Sequence, residues 1–171
     1  MSGHVREVSH MSKSVRLVGI VSIIFGIVAI LGGVSTWTLV TTQLSAENIT
    51  VPKDSPMLPG ARVADPFSAY AQAEIINHHA LTASEGKTYA ELGALATKAK
   101  TDGDQALADK YTAQRTTVMN ASFLRASLFT SVLAYGVSLL VIGLGVMFLL
   151  MGWALGKVAK ADAPAPAVVK E

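Results

Sequence analysis

Two long stretches of the chain contain no charged side chain, and one polar segment separates them. The first runs from Leu17 to Val40 and the second lies within Ala126 to Gly156. A helix rises about 1.5 Å per residue, so roughly 20 apolar residues cross the hydrocarbon core of a bilayer. Both runs exceed that length. The pattern predicts an all-α membrane protein: two transmembrane helices forming an antiparallel hairpin, with an extracytoplasmic helical segment between them. The boundaries read as a cytoplasmic N-tail 1–16, a transmembrane helix 17–40, an outer helical domain 41–125, a second transmembrane helix 126–156 and a disordered cytoplasmic tail 157–171.

Within the first run, small residues fall at Gly19, Ser22, Gly26, Ala29, Gly33 and Thr36, in alternating steps of three and four. That is a heptad seam of small side chains. In lipid little hydrophobic force joins helices, and small residues let two backbones approach closely. The second run has an interrupted row, Ser127, Ser131, Ala134, Ser138, Gly145 and Gly152, with Gly136, Gly143 and Gly156 on other faces. Two readings stand. The rows face each other within one chain, or one of them faces another protein.

The segment between the runs starts with turn formers, Pro52, Pro56, Pro59 and Gly60, so Ser45 to Ala64 reads as an extended loop. Asp65-Pro66 supplies an N-cap and a first-turn proline. A helix to about Leu81 follows, with Phe67, Ala71, Ile75 and His78 on one face. Gly86 ends it. Thr88 and Glu91 have capping-box spacing, predicting a helix from Tyr89 to about Lys100 with Leu92, Ala96 and Ala99 on the same side as Tyr89. Thr101 to Asp104 reads as a turn and a new cap. No helix breaker follows before the second apolar run, so that helix should begin well before the membrane, with Leu107, Tyr111, Gln114, Val118 and Ala121 on one stripe.

Charge orients this plan. The two tails carry six basic and three acidic residues, and the central segment carries eight and nine. Basic flanks stay cytoplasmic, which places both termini inside and the central segment outside. Arg16, Lys157 and Lys160 abut the runs. Trp37 and Trp153 sit near their ends, where indole rings prefer the interface. Arg125 would mark the outer edge of the second span. The first run is much longer than the apolar core of a signal peptide, and is expected to stay as an anchor.

Composition removes several chemistries. The chain of 171 residues has no cysteine, which excludes disulfides, thiolate metal sites and a cysteine nucleophile. A net charge of +2 gives no basis for nucleic acid binding. No ionisable residue interrupts either run, whereas ion pathways and proton relays usually need one. The most suggestive polar cluster is Glu74, His78, His79 and Glu85. Glu74 and His78 are one turn apart and could share a metal. Adjacent histidines point about 100° apart on a helix, however, and the HExxH pattern is missing. No cofactor is expected.

The stretches AQAEIINHHALTASEGKTYAEL (71–92) and TTVMNASFLRASL (116–128) resemble a family of small actinobacterial two-span membrane proteins. The resemblance extends over most of Leu17 to Leu155. Members often carry the label aromatic ring-opening dioxygenase LigA, a name that belongs to a soluble non-haem iron enzyme. This chain supplies no convincing iron site, so the label reads as a mistaken transfer. The resemblance implies a plasma-membrane protein and offers no catalytic residues.

Together these features lead to the expectation of a non-enzymatic accessory or structural subunit of a plasma-membrane complex, respiratory or cell-envelope. Its partners would be the lipid bilayer and a membrane protein or a second copy. Two alternatives remain: a metal-binding membrane protein or enzyme using the outer His78/His79 region, and a homo-oligomeric channel.

Overall fold

The computed structural model describes the backbone of residues 2–161 and the side chains of residues 13–161. Four helices follow one another: α1 (Ser2–Ala46), α2 (Pro66–Ala83), α3 (Tyr89–Thr101) and α4 (Gln105–Ala161). No strand forms among the described residues, where the nearest thing to one is an isolated antiparallel bridge between Thr50 and Arg62. Both α1 and α4 are long and apolar enough to cross a membrane. The chain divides into two compact units, Met1–Trp37 with Val137–Glu171, and Thr38–Gly136.

In the first unit α1 and α4 run antiparallel. Contacts link Gly19 with Gly152, Gly26 with Gly145, and Gly33 with Ser138, so each step of seven along one helix is a step of seven back along the other. Phe25 and Phe148 meet edge to face, with centroids 5.1 Å apart. The α4 helix continues through Lys157 to Ala161, which corrects the expected disordered tail from residue 157. Ala and Lys are good helix formers, and no proline occurs before Pro164. The remainder of that tail, 162–171, lies outside the described residues.

The second unit contains the tips of the long helices, α2, α3 and the connecting loops. The α1 helix extends to Ala46, so Ser45 and Ala46 are helical and not part of the expected loop. It stops because Asn48 adopts φ 52°, a left-handed conformation that asparagine tolerates. Arg62 caps the same end, donating from Nη2 to the Ser45 carbonyl at 2.7 Å and to Asn48 Oδ1 at 2.9 Å. The proline-rich loop folds back on itself. Val51 N–H donates to the Ala61 carbonyl and Val63 N–H to that of Ile49, both at 2.9 Å. Val51 and Val63 are thereby almost wholly buried, although the sequence reads as a simple connector.

Helix α2 begins with a full capping box. Asp65 Oδ1 accepts from the backbone N–H groups of Phe67 and Ser68, and Ser68 Oγ lies 2.6 Å from Asp65 Oδ2. Its buried side carries Ser68, Ala69, Ala71, Ala73, Ile75 and Ala80. The expected face is therefore right at Ala71 and Ile75, while Phe67 and His78 are exposed. A small-residue helix buries a broad side, and the periodicity of large residues misplaces its centre. Gly86, at φ 78°, completes the turn after α2. Thr88 and Glu91 then form the expected box at the start of α3, and Leu92 and Ala99 are buried. Asp104 Oδ1 accepts from Leu107 N–H at 3.0 Å and starts α4. On α4 the expected stripe holds at Ala121, which is buried, and at Tyr111, Gln114 and Val118, which are half-buried; at its start Ala108 is buried and Leu107 is 36% exposed.

Candidate functional site

The small-residue seam gives the first unit its geometry. A Cβ placed on Gly26 would stand 2.7 Å from the Gly145 carbonyl oxygen, and one on Gly145 would stand 2.8 Å from that of Gly26. At Gly19, Gly33 and Gly152 the opposing carbonyl is similarly close, at 3.0, 2.9 and 2.5 Å. At Gly26, Gly33, Gly145 and Gly152 a larger side chain therefore forces the helices apart, and at Gly19 it would be tight. Ser22 and Ser138 are buried on the same seam, and Ala29 is half-buried. Thr36 is exposed and donates to the Gly32 carbonyl of its own helix at 3.0 Å. Ser131 and Ala134 belong to the second unit and are half-buried there. Ser131 lines a cleft of about 550 Å³ together with Gln43, Gln72 and Ser127. Gly32 and Gly143 point away from any neighbour.

The large apolar residues of the same two helices are turned outward. Leu31 is 62% exposed, Phe25 57%, Leu140 62% and Leu150 63%, against 7% for Ser22 and 2% for Ser138. This inverts the arrangement of a water-soluble core. Near the end of the second run, Lys157 places its ammonium 4.0 Å from the centroid of the Trp153 ring.

The outer polar residues do not converge. Glu74 faces Arg125, with Oε1 3.7 Å from Nη2. His79 Nε2 lies 2.7 Å from Asp54 Oδ2, and this contact holds the Asp54 carboxyl below its ordinary pKa. Glu85 accepts from Lys110 at 2.8 Å and from Lys87 at 2.7 Å, which together hold its pKa down to about 2. His78 and His79 present their rings 6.1 Å apart and 53° out of plane. Among the described residues no group of three or more His, Asp or Glu side chains is placed to hold a metal ion. His78, Glu74 and Asp54 do share a cleft of about 490 Å³ with Tyr70 and Met57, but Glu74 and Asp54 are committed to other partners.

Three organising side chains were not singled out from the sequence. Tyr135 is buried in the second unit, its hydroxyl 2.8 Å from Thr41 Oγ1 and 3.1 Å from the Ala64 carbonyl. Arg62 caps α1. Arg115 lays its guanidinium 4.0 Å from the Tyr89 ring centroid, in the space left by Gly93, and so holds α3 against α4. The signal for Tyr135 was its hydroxyl inside an apolar run, where a phenol needs a partner. Comparison with protein families, with characterised proteins and with solved structures gives no match to this chain.

Proposed function

We propose that the chain is a non-enzymatic accessory or structural subunit of a plasma-membrane complex. In this reading α1 and α4 form a transmembrane hairpin with both termini cytoplasmic and the central helical unit extracytoplasmic. The observation that carries it is the inverted burial of the helix pair, with small residues inside and Leu, Ile, Val and Phe outside. Water would penalise that surface by roughly 25 cal/mol per Å², whereas lipid accepts it. A core helix of a soluble protein would be mostly covered, but only 22% and 17% of the most apolar windows of α1 and α4 are buried.

Because the seam is occupied within the chain, a partner would meet the outward faces of the hairpin or the central unit. The separate pairing of Glu74, His79 and Glu85 favours this reading over a metal centre. Kinship with the actinobacterial two-span family, and a respiratory or cell-envelope setting, are part of the same proposal. The test is purification of the tagged chain from native membranes in mild detergent. Co-purification of a partner at fixed stoichiometry supports the proposal, and recovery of free monomer alone overturns it.

A further inference from the structure

At one end of the helix pair the two backbones leave a notch of about 380 Å³. Gly19 and Gly152 close its floor, and a Cβ placed on Gly156 would meet nothing within 4 Å. Ile20 and Ile23 line its apolar part, while Arg16 and Lys160 stand at its mouth. Antiparallel packing brings these two cations together, one from the start of the first run and one from the end of the second. The described side chains of this unit include four cations, Lys13, Arg16, Lys157 and Lys160, and no carboxylate. Lys157 is engaged with Trp153, and neither Arg16 nor Lys160 forms an ion pair among the described residues.

We infer that this notch binds an anionic phospholipid. The headgroup phosphate sits between the Arg16 guanidinium and the Lys160 ammonium, and an acyl chain lies along Ile20 and Ile23. A basic mouth on an apolar slot fits a molecule that is anionic at one end and hydrocarbon at the other. The carbonyls at the end of α4 oppose an anion through the helix dipole, but their half charge is smaller than the two full charges beside it. A free phosphate would leave the apolar half unused. The inference rests on the membrane placement proposed above.

The test is native mass spectrometry of the full chain in mild detergent, titrated with phosphatidylglycerol or with phosphatidylcholine of the same acyl chains. Phosphatidylglycerol should be retained preferentially. The Arg16→Gln/Lys160→Gln variant should lose about thirtyfold in retention, from roughly fivefold per cation. Gly156→Leu, whose Cβ enters open space at the edge of the notch, should also displace the lipid, with helix content unchanged by circular dichroism. Lys157→Gln should do little. Equal retention of both lipids, or an equal loss in Lys157→Gln and in the double variant, overturns the site. Full displacement by soluble glycerol phosphate overturns the lipid as ligand in favour of free phosphate. Alkaline carbonate extraction of membranes separates the two proposals: release of the chain overturns the membrane placement and the site together. Retention in the membrane without lipid preference overturns the site alone.

Discussion

The phenol of Tyr135 donates a hydrogen bond to the carbonyl oxygen of Ala64, 3.1 Å away and 71 residues earlier in the chain. Since a phenol has one proton, the 2.8 Å contact with Thr41 is supplied by the threonine hydroxyl. One buried oxygen thus joins α1, the loop before α2 and α4 within the central unit. Tyr135→Phe removes both bonds and strands a partly buried carbonyl. It should lower stability by about 1–3 kcal/mol, read from unfolding in detergent. Thr41→Val should cost less, and the double variant should cost less than the two added together. Strict additivity would show that the hydroxyls act separately.

Substitutions at glycine should divide by face. Gly26→Leu forces a side chain into the Gly145 carbonyl and should weaken pairing of α1 and α4 by 3 kcal/mol or more, beyond the roughly 1–3 typical of an overpacked core. Gly32→Leu enters open space and should leave stability within about 0.5 kcal/mol. Gly143→Leu should be equally harmless to the contact of α1 with α4. A loss of partner co-purification in that variant, with the contact intact, would place the proposed partner on that outward face. Crosslinking between cysteines introduced on the two helices measures the pairing directly.

Glu85 makes the central unit sensitive to acid. Its pKa is lowered from 4.5 to about 2 by the hydrogen bond from Lys110 and then that from Lys87. Its contribution is therefore complete above pH 4.5. It fades as the pH falls, because the unfolded chain takes up the proton first, and it is gone below about pH 2. The Lys110 pKa is raised by the same contact, so on the alkaline side the contribution persists to 10.5 and is lost as the pH rises through the higher folded value. Glu85→Gln should flatten the acid limb of a stability profile while keeping the left-handed backbone at that residue. The groups are exposed, so the difference should be small and should vanish in high salt.

Metal analysis of the purified protein should find no stoichiometric ion. Chelator should leave thermal unfolding unchanged, and His78→Ala should behave like the parent. His79→Ala should lose only its contact with Asp54. Bound zinc or iron that disappears in either histidine variant would restore the metal reading and remove the accessory-subunit proposal.

A capping substitution checks the start of α2. Asp65→Ala leaves the N–H groups of Phe67 and Ser68 without their acceptor and should cost about 0.5–2 kcal/mol. Asp65→Asn should recover most of that loss.

Local signals determined the helices. Uncharged length marked α1 and α4, Asp65-Pro66 and Thr88-x-x-Glu91 set two starts, and Gly86 set a stop, because caps and turns depend on neighbours within one turn. The alternation of Gly with Ser, Ala and Thr along the first run also reported a face made for close approach. Which surface that face meets is a relation between residues more than a hundred positions apart, and the sequence left two answers open. The tertiary structure places Gly26 against Gly145 of the same chain. It also decides the fate of the polar residues. Glu74, His78, His79 and Glu85 are close along the chain, yet Glu74, His79 and Glu85 are drawn to Arg125, Asp54 and Lys110 respectively. Those partners arrive from other elements, and Glu85 keeps its neighbour Lys87 as well, so the acidic and histidine side chains are tied to separate partners instead of to one another.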